Sequence, residues 1–172
     1  MMEWTAAVIT VSDKGSRGER VDTSGPALQE MLKEAGYQVV YTKIIPDEYD
    51  QIADELRHCS DDLKVCLALT TGGTGFSPRD ITPEATLSVI QRETRGIPEA
   101  MRAFSMTITD KACLSREAAG IRGETLIVNL PGSRKASTEN LSAVLKPIHH
   151  GIEILRGETA NCGEEHPHHH HQ

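Results

Sequence analysis

TTGGTGFSPRDITPE, residues 70–84, joins an apolar run to a helical one and decides the fold. Before it, residues 64–71 (KVCLALTT) are mostly apolar or hydroxyl-bearing, as in a strand covered on both faces. After it, Thr82 reads as an N-cap, Pro83 fits the first turn, where its missing N–H costs nothing, and Glu84 faces the positive end of the helix dipole. Strand, glycine loop and helix in that order make the repeating unit of an α/β fold, a parallel sheet with helices on both faces.

The same alternation continues in both directions. Toward the N-terminus, residues 6–12 (AAVITVS) form a first strand, followed by a polar loop over 13–22 and a helix capped at Thr23 or Ser24. That helix carries an apolar stripe of Leu28, Met31, Leu32 and Ala35 and stops at Gly36. Residues 37–45 form a second strand, and Pro46-Asp47-Glu48 leads into a helix burying Ile52, Ala53 and Leu56. Toward the C-terminus, 98–106 and 111–119 read as shorter helical pieces and 125–130 as the last core strand. The closing helix runs from near Ser137 to about Leu155, with a bend near Pro147. Residues 1–156 thus read as one domain, and residues 157–172, ending EEHPHHHHQ, as a flexible polar His-rich tail with no core-forming side chain.

The 172 residues are 38% apolar and 25% charged, a balance that buries one core and argues against disorder. Lys+Arg 18 against Asp+Glu 25 leaves a net charge of −7, and six aromatics offer few stacking platforms, so nucleic acid is excluded as the expected partner. No run of about 18 apolar residues is present to span a bilayer, and residues 1–10 lack the basic region and cleavage site of a signal peptide. The expected location is the cytoplasm, with no membrane partner. Cys59, Cys66, Cys113 and Cys162 include no CxxC pair and read as buried, reduced thiols.

Ligands of open parallel sheets bind where strand carboxyl ends meet helix-leading loops. Four such junctions stand out: Val11-Ser12-Asp13, Pro46-Asp47-Glu48, the 70–75 loop and Asn129-Leu130-Pro131-Gly132-Ser133. Thr71, Gly72, Gly73, Thr74 and Gly75 suit a phosphate cradle, because glycine admits positive φ and close approach while N–H groups and hydroxyls donate to phosphate oxygens. It is not a Walker loop, since Phe76-Ser77 stands where Lys-Ser/Thr is needed, and Pro78 occupies the third glycine position of GxGxxG. A tight turn alone would explain the glycines, but the continuation adds Arg79 for an anion, Asp80 for a divalent cation, and a helix N-terminus at Thr82 and Glu84. Asp47 and Asp80 follow different strands and project over one crevice; helix capping competes for Asp47, and pairing with Arg79 for Asp80. Lys135 reaches phosphate or stays solvated. His149-His150 occupy adjacent helical positions that face different ways, which argues against a shared metal.

Taken together, these segments resemble the molybdopterin-binding family, which includes bacterial molybdopterin adenylyltransferases and the corresponding domains of gephyrin and plant molybdenum insertion proteins. TTGGTGFSPRDITPEAT looks like the family signature, and ITVSDKGSRGERVDTSGP, IIPDE, LSREAAGIRGETLIVNLPGS and Lys135 are similar to its other segments, in the same order over residues 4–156. The resemblance implies a three-layer α/β/α fold with a mostly parallel central sheet, usually trimeric. It implies a reaction in which ATP and molybdopterin give adenylyl-molybdopterin and pyrophosphate. Asp47 and Asp80 would then be the catalytic carboxylates that hold Mg²⁺. Ser12, Asp13, Asn129, Pro131, Gly132 and Ser133 would line the nucleotide and pterin sites, with Ser115 in the pterin pocket. The glycine loop, Arg79, Thr82, Glu84 and Lys135 would complete the substrate-binding set. Arg134 departs from the family, many members of which carry a second proline after Pro131-Gly132. A molybdenum-insertion protein would act downstream. The rival reading is a non-catalytic carrier or scaffold that holds molybdopterin; the retained PRDITPEA pattern favours the enzyme.

Overall fold

The computed structural model describes residues 2–157. Six strands form one sheet: β1 (Thr5–Val11), β2 (Gln38–Ile45), β3 (Leu67–Thr71), β4 (Arg92–Glu93), β5 (Ala119–Arg122) and β6 (Thr125–Leu130), in the order β2-β1-β3-β6-β5-β4. The four strands from β2 to β6 are parallel, and β5 and β4 add an antiparallel edge. Side-chain alternation splits the core in two. Val8, Leu67, Leu69, Leu126, Val128 and Leu130 face one side of the sheet. They pack against α2 (Ser24–Glu34), α5 (Gly96–Met106) and α6 (Arg134–Leu155) through Leu28, Leu32, Met101, Leu141, Val144 and Ile148. Ala7, Ile9, Ala68 and Ile127 face the other, against Ile52 and Leu56 of α3 (Tyr49–Arg57) and Ala85 and Val89 of α4 (Thr82–Val89). This is the three-layer α/β/α arrangement expected.

Several local expectations change. Only the first part of the 111–119 stretch is helical: a 3-10 helix at Asp110–Leu114 gives way to extended chain and then β5, which pairs with β6 across a two-residue turn where Gly123 takes φ +57°. The loop after β1 holds a short helix, α1 (Asp13–Ser16), capped by Ser12, whose Oγ accepts the Gly15 N–H at 2.9 Å. For α2 the capping oxygen comes from Asp22, which accepts the Gly25 N–H at 2.9 Å; Thr23 makes no such bond. Thr82 is the first helical residue of α4, not its cap. The closing helix starts at Arg134 rather than Ser137, because the Ser133 hydroxyl accepts the Ala136 N–H at 3.0 Å, and Pro147 lies within it. Cys59 and Cys66 are buried and free as expected, whereas Cys113 is exposed. Cys162 and the His-rich tail lie outside the described residues, among which no helix is long and apolar enough to cross a membrane.

Candidate active site

The loops leaving β1, β2, β3 and β6 meet at one end of the sheet around a cleft of about 580 Å³. Ser12 and Asp13 come from the first loop, Asp47 from the second, Gly72, Gly73, Arg79 and Asp80 from the third, and Gly132 and Ser133 from the fourth. A second basin of about 380 Å³ lies over Thr74, Gly75, Ser115 and Pro131, and shares Gly73, Asp80 and Gly132 with the first. Those three residues form the divide between two adjoining spaces.

Two glycines of the loop are required by geometry. Gly72 has φ +104°, and a Cβ there would sit 2.2 Å from the carbonyl oxygen of Val11, so β1 and the loop meet only through glycine. Gly73 has φ +70°, and a Cβ would lie 2.3 Å from Thr82 Oγ1 and 3.0 Å from Asp47 Oδ1. The loop after β3 therefore runs against both the start of α4 and the Asp47 carboxylate.

The carboxylates are held by backbone donors. Asp47 Oδ2 accepts the Asp13 N–H at 2.9 Å and Asp13 Oδ1 accepts the Asp47 N–H at 3.0 Å, which stitches the first two loops together. Asp80 Oδ2 accepts the N–H groups of Gly75 and Ser77, each at 3.1 Å. In Asp47 and Asp80 the other oxygen, Oδ1, keeps no such bond. Burial pushes the Asp47 carboxyl above its ordinary value, and the charges of Asp13 and Asp80 push the same way. Asp13 moves down, because the Arg79 guanidinium grips it through two hydrogen bonds of 3.0 Å. Arg79 also reaches Glu48 at 2.9 Å and so closes a small ion network along one wall of the cleft.

The chain is similar to known proteins over most of its length. Residues 7–150 match the family described as probable molybdopterin binding domain. The chain belongs to that family. A gephyrin of Dictyostelium discoideum is 43% identical over 91% of this chain, which spans 23% of that longer protein. The molybdopterin adenylyltransferase of Helicobacter pylori is 41% identical over 92% of this chain and 91% of its own length. A crystal structure of the molybdopterin biosynthesis enzyme MoaB from Thermus thermophilus superposes with a TM-score of 0.84 at 46% identity, covering 90% of this chain and 97% of that one.

Within this molybdopterin-binding domain, not every residue anticipated at the site reaches open space. Asn129 is fully buried; its Nδ2 donates to Thr70 and Thr86 hydroxyls and its Oδ1 accepts the Ala118 N–H, so it braces strands rather than lining a cleft. Thr71 borders the cleft, but its hydroxyl donates to the Pro131 carbonyl at 2.7 Å and joins a buried chain with Ser24 and Ser137. Glu84 pairs with Arg116 and not with a free anion site. Lys135 pairs with Glu139 one turn along α6 and lines none of these spaces. Thr82 is also fully buried and lines neither space; its Oγ1 has no partner and sits beside Gly73.

Sequence reasoning passed over Arg116, Lys14 and Arg20. Arg116 ties the glycine loop down, donating to the carbonyls of Gly75 at 2.8 Å and Asp80 at 3.0 Å, while its own N–H bonds the Thr74 carbonyl at 2.8 Å. Its sequence signal was only its place in LSREAAG. Lys14 and Arg20 border the larger cleft and give it positive charge.

Proposed function

We propose that this domain is a molybdopterin adenylyltransferase, moving AMP from ATP to the terminal phosphate of molybdopterin with release of pyrophosphate. The observation that carries this reading is the pair of spaces divided by Gly73, Asp80 and Gly132, which suits two substrates whose phosphate ends must meet. A phosphate oxygen of molybdopterin forms the new bond to the α-phosphorus of ATP. The bond from that phosphorus to the bridging oxygen breaks, and its electron pair leaves with pyrophosphate. The nucleophile is already ionised, so positioning and charge neutralisation dominate and no protein base is obligatory. The Gly72 and Gly75 N–H groups are already bonded, to the Leu130 carbonyl and to Asp80, so the Gly73 and Thr74 N–H groups, with Lys14 and Arg20, are the groups available to orient the phosphates.

The residues present fit Mg²⁺. Asp47 and Asp80 each keep one oxygen outside the backbone hydrogen bonds that hold the other. Among the described residues no three His, Cys, Asp or Glu side chains form a full cage, and Mg²⁺ held by one or two carboxylates with phosphate oxygens and waters needs none. Asp47 and Asp80 would hold the ion, which when bound neutralises charge on the triphosphate. The rest of the proposal is a cytoplasmic homotrimer that hands its product to a molybdenum-insertion protein. Exposed Phe104, Met106, Ile108 and Leu114 on one stretch of chain supply apolar surface for self-association.

Incubation with ATP, Mg²⁺ and molybdopterin is expected to yield adenylyl-molybdopterin and pyrophosphate in equal amounts. A pterin that binds while no product forms would reject the enzyme in favour of the carrier, and a carrier would show no metal-dependent ATP binding by calorimetry. Thr82→Val tests the packing beneath the glycine loop. Deleting an unpartnered, fully buried hydroxyl should leave the thermal midpoint unchanged or higher, with ATP affinity unaltered because Thr82 borders neither space. A midpoint lowered by several degrees would show that the hydroxyl supports the Gly73 turn after all.

A further inference from the structure

The basin holding Ser115 continues into a pocket of about 200 Å³, with Lys111, Ser115 and Pro131 common to both. Glu117 lines this inner pocket. It is 3% exposed, and neither carboxyl oxygen has a hydrogen-bond partner; the Ser115 hydroxyl has none either. Arg102 does not fill that role. Its Nη1 donates to the main-chain carbonyls of Ser115 and Glu117, each at 3.2 Å, and no salt bridge joins it to the carboxylate. Buried carboxyls are ordinarily paired, so two empty acceptors side by side at the end of an open pocket point to donors supplied by a ligand. Burial pushes the Glu117 carboxyl up to about 7, opposed by the charge of the nearby Arg102 guanidinium, so a pair of N–H donors readily draws it into the ionised form.

We propose that Glu117 receives the 2-amino-4-oxo edge of the pterin ring, its two oxygens accepting N3–H and the 2-amino group together, with Ser115 as the neighbouring polar contact. This rests on the proposed function for the identity of the ligand. Adjacent parallel donors match a carboxylate in the bidentate manner of a guanidinium. The inner pocket takes the pyrimidine half of the ring, and the adjoining 380 Å³ basin takes the remainder and leads back to the Gly73–Gly132 divide. The larger cleft is thereby left to the nucleotide.

The test compares pterin with lumazine, which carries a carbonyl where pterin has its 2-amino group, by fluorescence titration near neutral pH. Against the intact protein, lumazine should bind at least about tenfold more weakly, since its carbonyl would face a carboxylate oxygen. In Glu117→Gln the receptor becomes one acceptor and one donor, so the preference should reverse toward lumazine. Equal affinity of the intact protein for the two probes, or binding of neither, overturns the proposal without any variant. A Glu117→Gln protein that folds and weakens both probes alike also overturns it. The outcome is separable from the enzyme assay: product formation without pterin selectivity sinks only Glu117, and selectivity without product sinks only the adenylyl transfer.

Discussion

Asp80→Asn should lower turnover by about 10²–10³-fold, the range seen when one charge-stabilising group is removed from a preorganised site. The substitution is informative because it separates two jobs of this side chain. Oδ2 accepts the Gly75 and Ser77 N–H groups and shapes the loop, and the Asp80 main-chain carbonyl accepts from Arg116. An asparagine retains a carbonyl oxygen for both N–H groups, so the loop and the thermal midpoint should persist. What disappears is the negative charge at the divide between the two spaces. Steady-state rates at saturating substrates, with melting curves run alongside, check this. Unchanged turnover across a range of Mg²⁺ concentrations would remove Asp80 from the chemistry, and a collapsed midpoint would show that the amide cannot replace the carboxylate in the loop.

What the sequence made legible was what local chemistry determines. Glycines directly after a buried strand, with Asp47 and Asp80 after neighbouring strands, are local facts, and parallel strands bring such loops to one edge. The three layers followed from the same alternation, and the split of β1, β3 and β6 side chains between two cores bears it out. The missed features depend on contacts distant in sequence. The antiparallel edge is short, and β5 has only four residues before Gly123, too few for a period to show. Arg116 acts through loop carbonyls about 40 positions away, which no spacing reveals. Asn129 could have been caught. It alternates with Val128 and Leu130 and shares the Ile127 side of β6, so it faces α4, where the hydroxyl of Thr86 meets it at 2.8 Å. Reading the register of a strand outranks reading the polarity of one residue at its end.

Asp47→Asn should move activity and stability in opposite directions. Asp47 is half-buried, with Oδ1 beside Gly73 and Oδ2 on the Asp13 N–H. Because burial and the nearby charges of Asp13 and Asp80 raise its folded pKa above 3.8, folding favours the protonated form. The stability this gives is complete below the unfolded value and is lost as pH rises through the folded one. At neutral pH the intact protein therefore keeps an ionised carboxylate that its surroundings oppose, and a neutral asparagine removes that penalty while its carbonyl still accepts the Asp13 N–H. The variant is expected to melt at or above the temperature of the parent near neutral pH, with the difference shrinking as pH falls toward about 4. Turnover should drop by about 10²–10³-fold with Mg²⁺ and ATP saturating. Melting curves across that pH range and rates on the same preparation test both halves. A variant less stable at neutral pH would mean that the Asp13–Asp47 stitch depends on charge. Full activity would mean that the half-buried carboxylate serves only to hold the two loops together. The predicted pairing of signs is what distinguishes a group kept for chemistry from one kept for the fold, since a site selected for stability alone would have no reason to retain three carboxylates against one another.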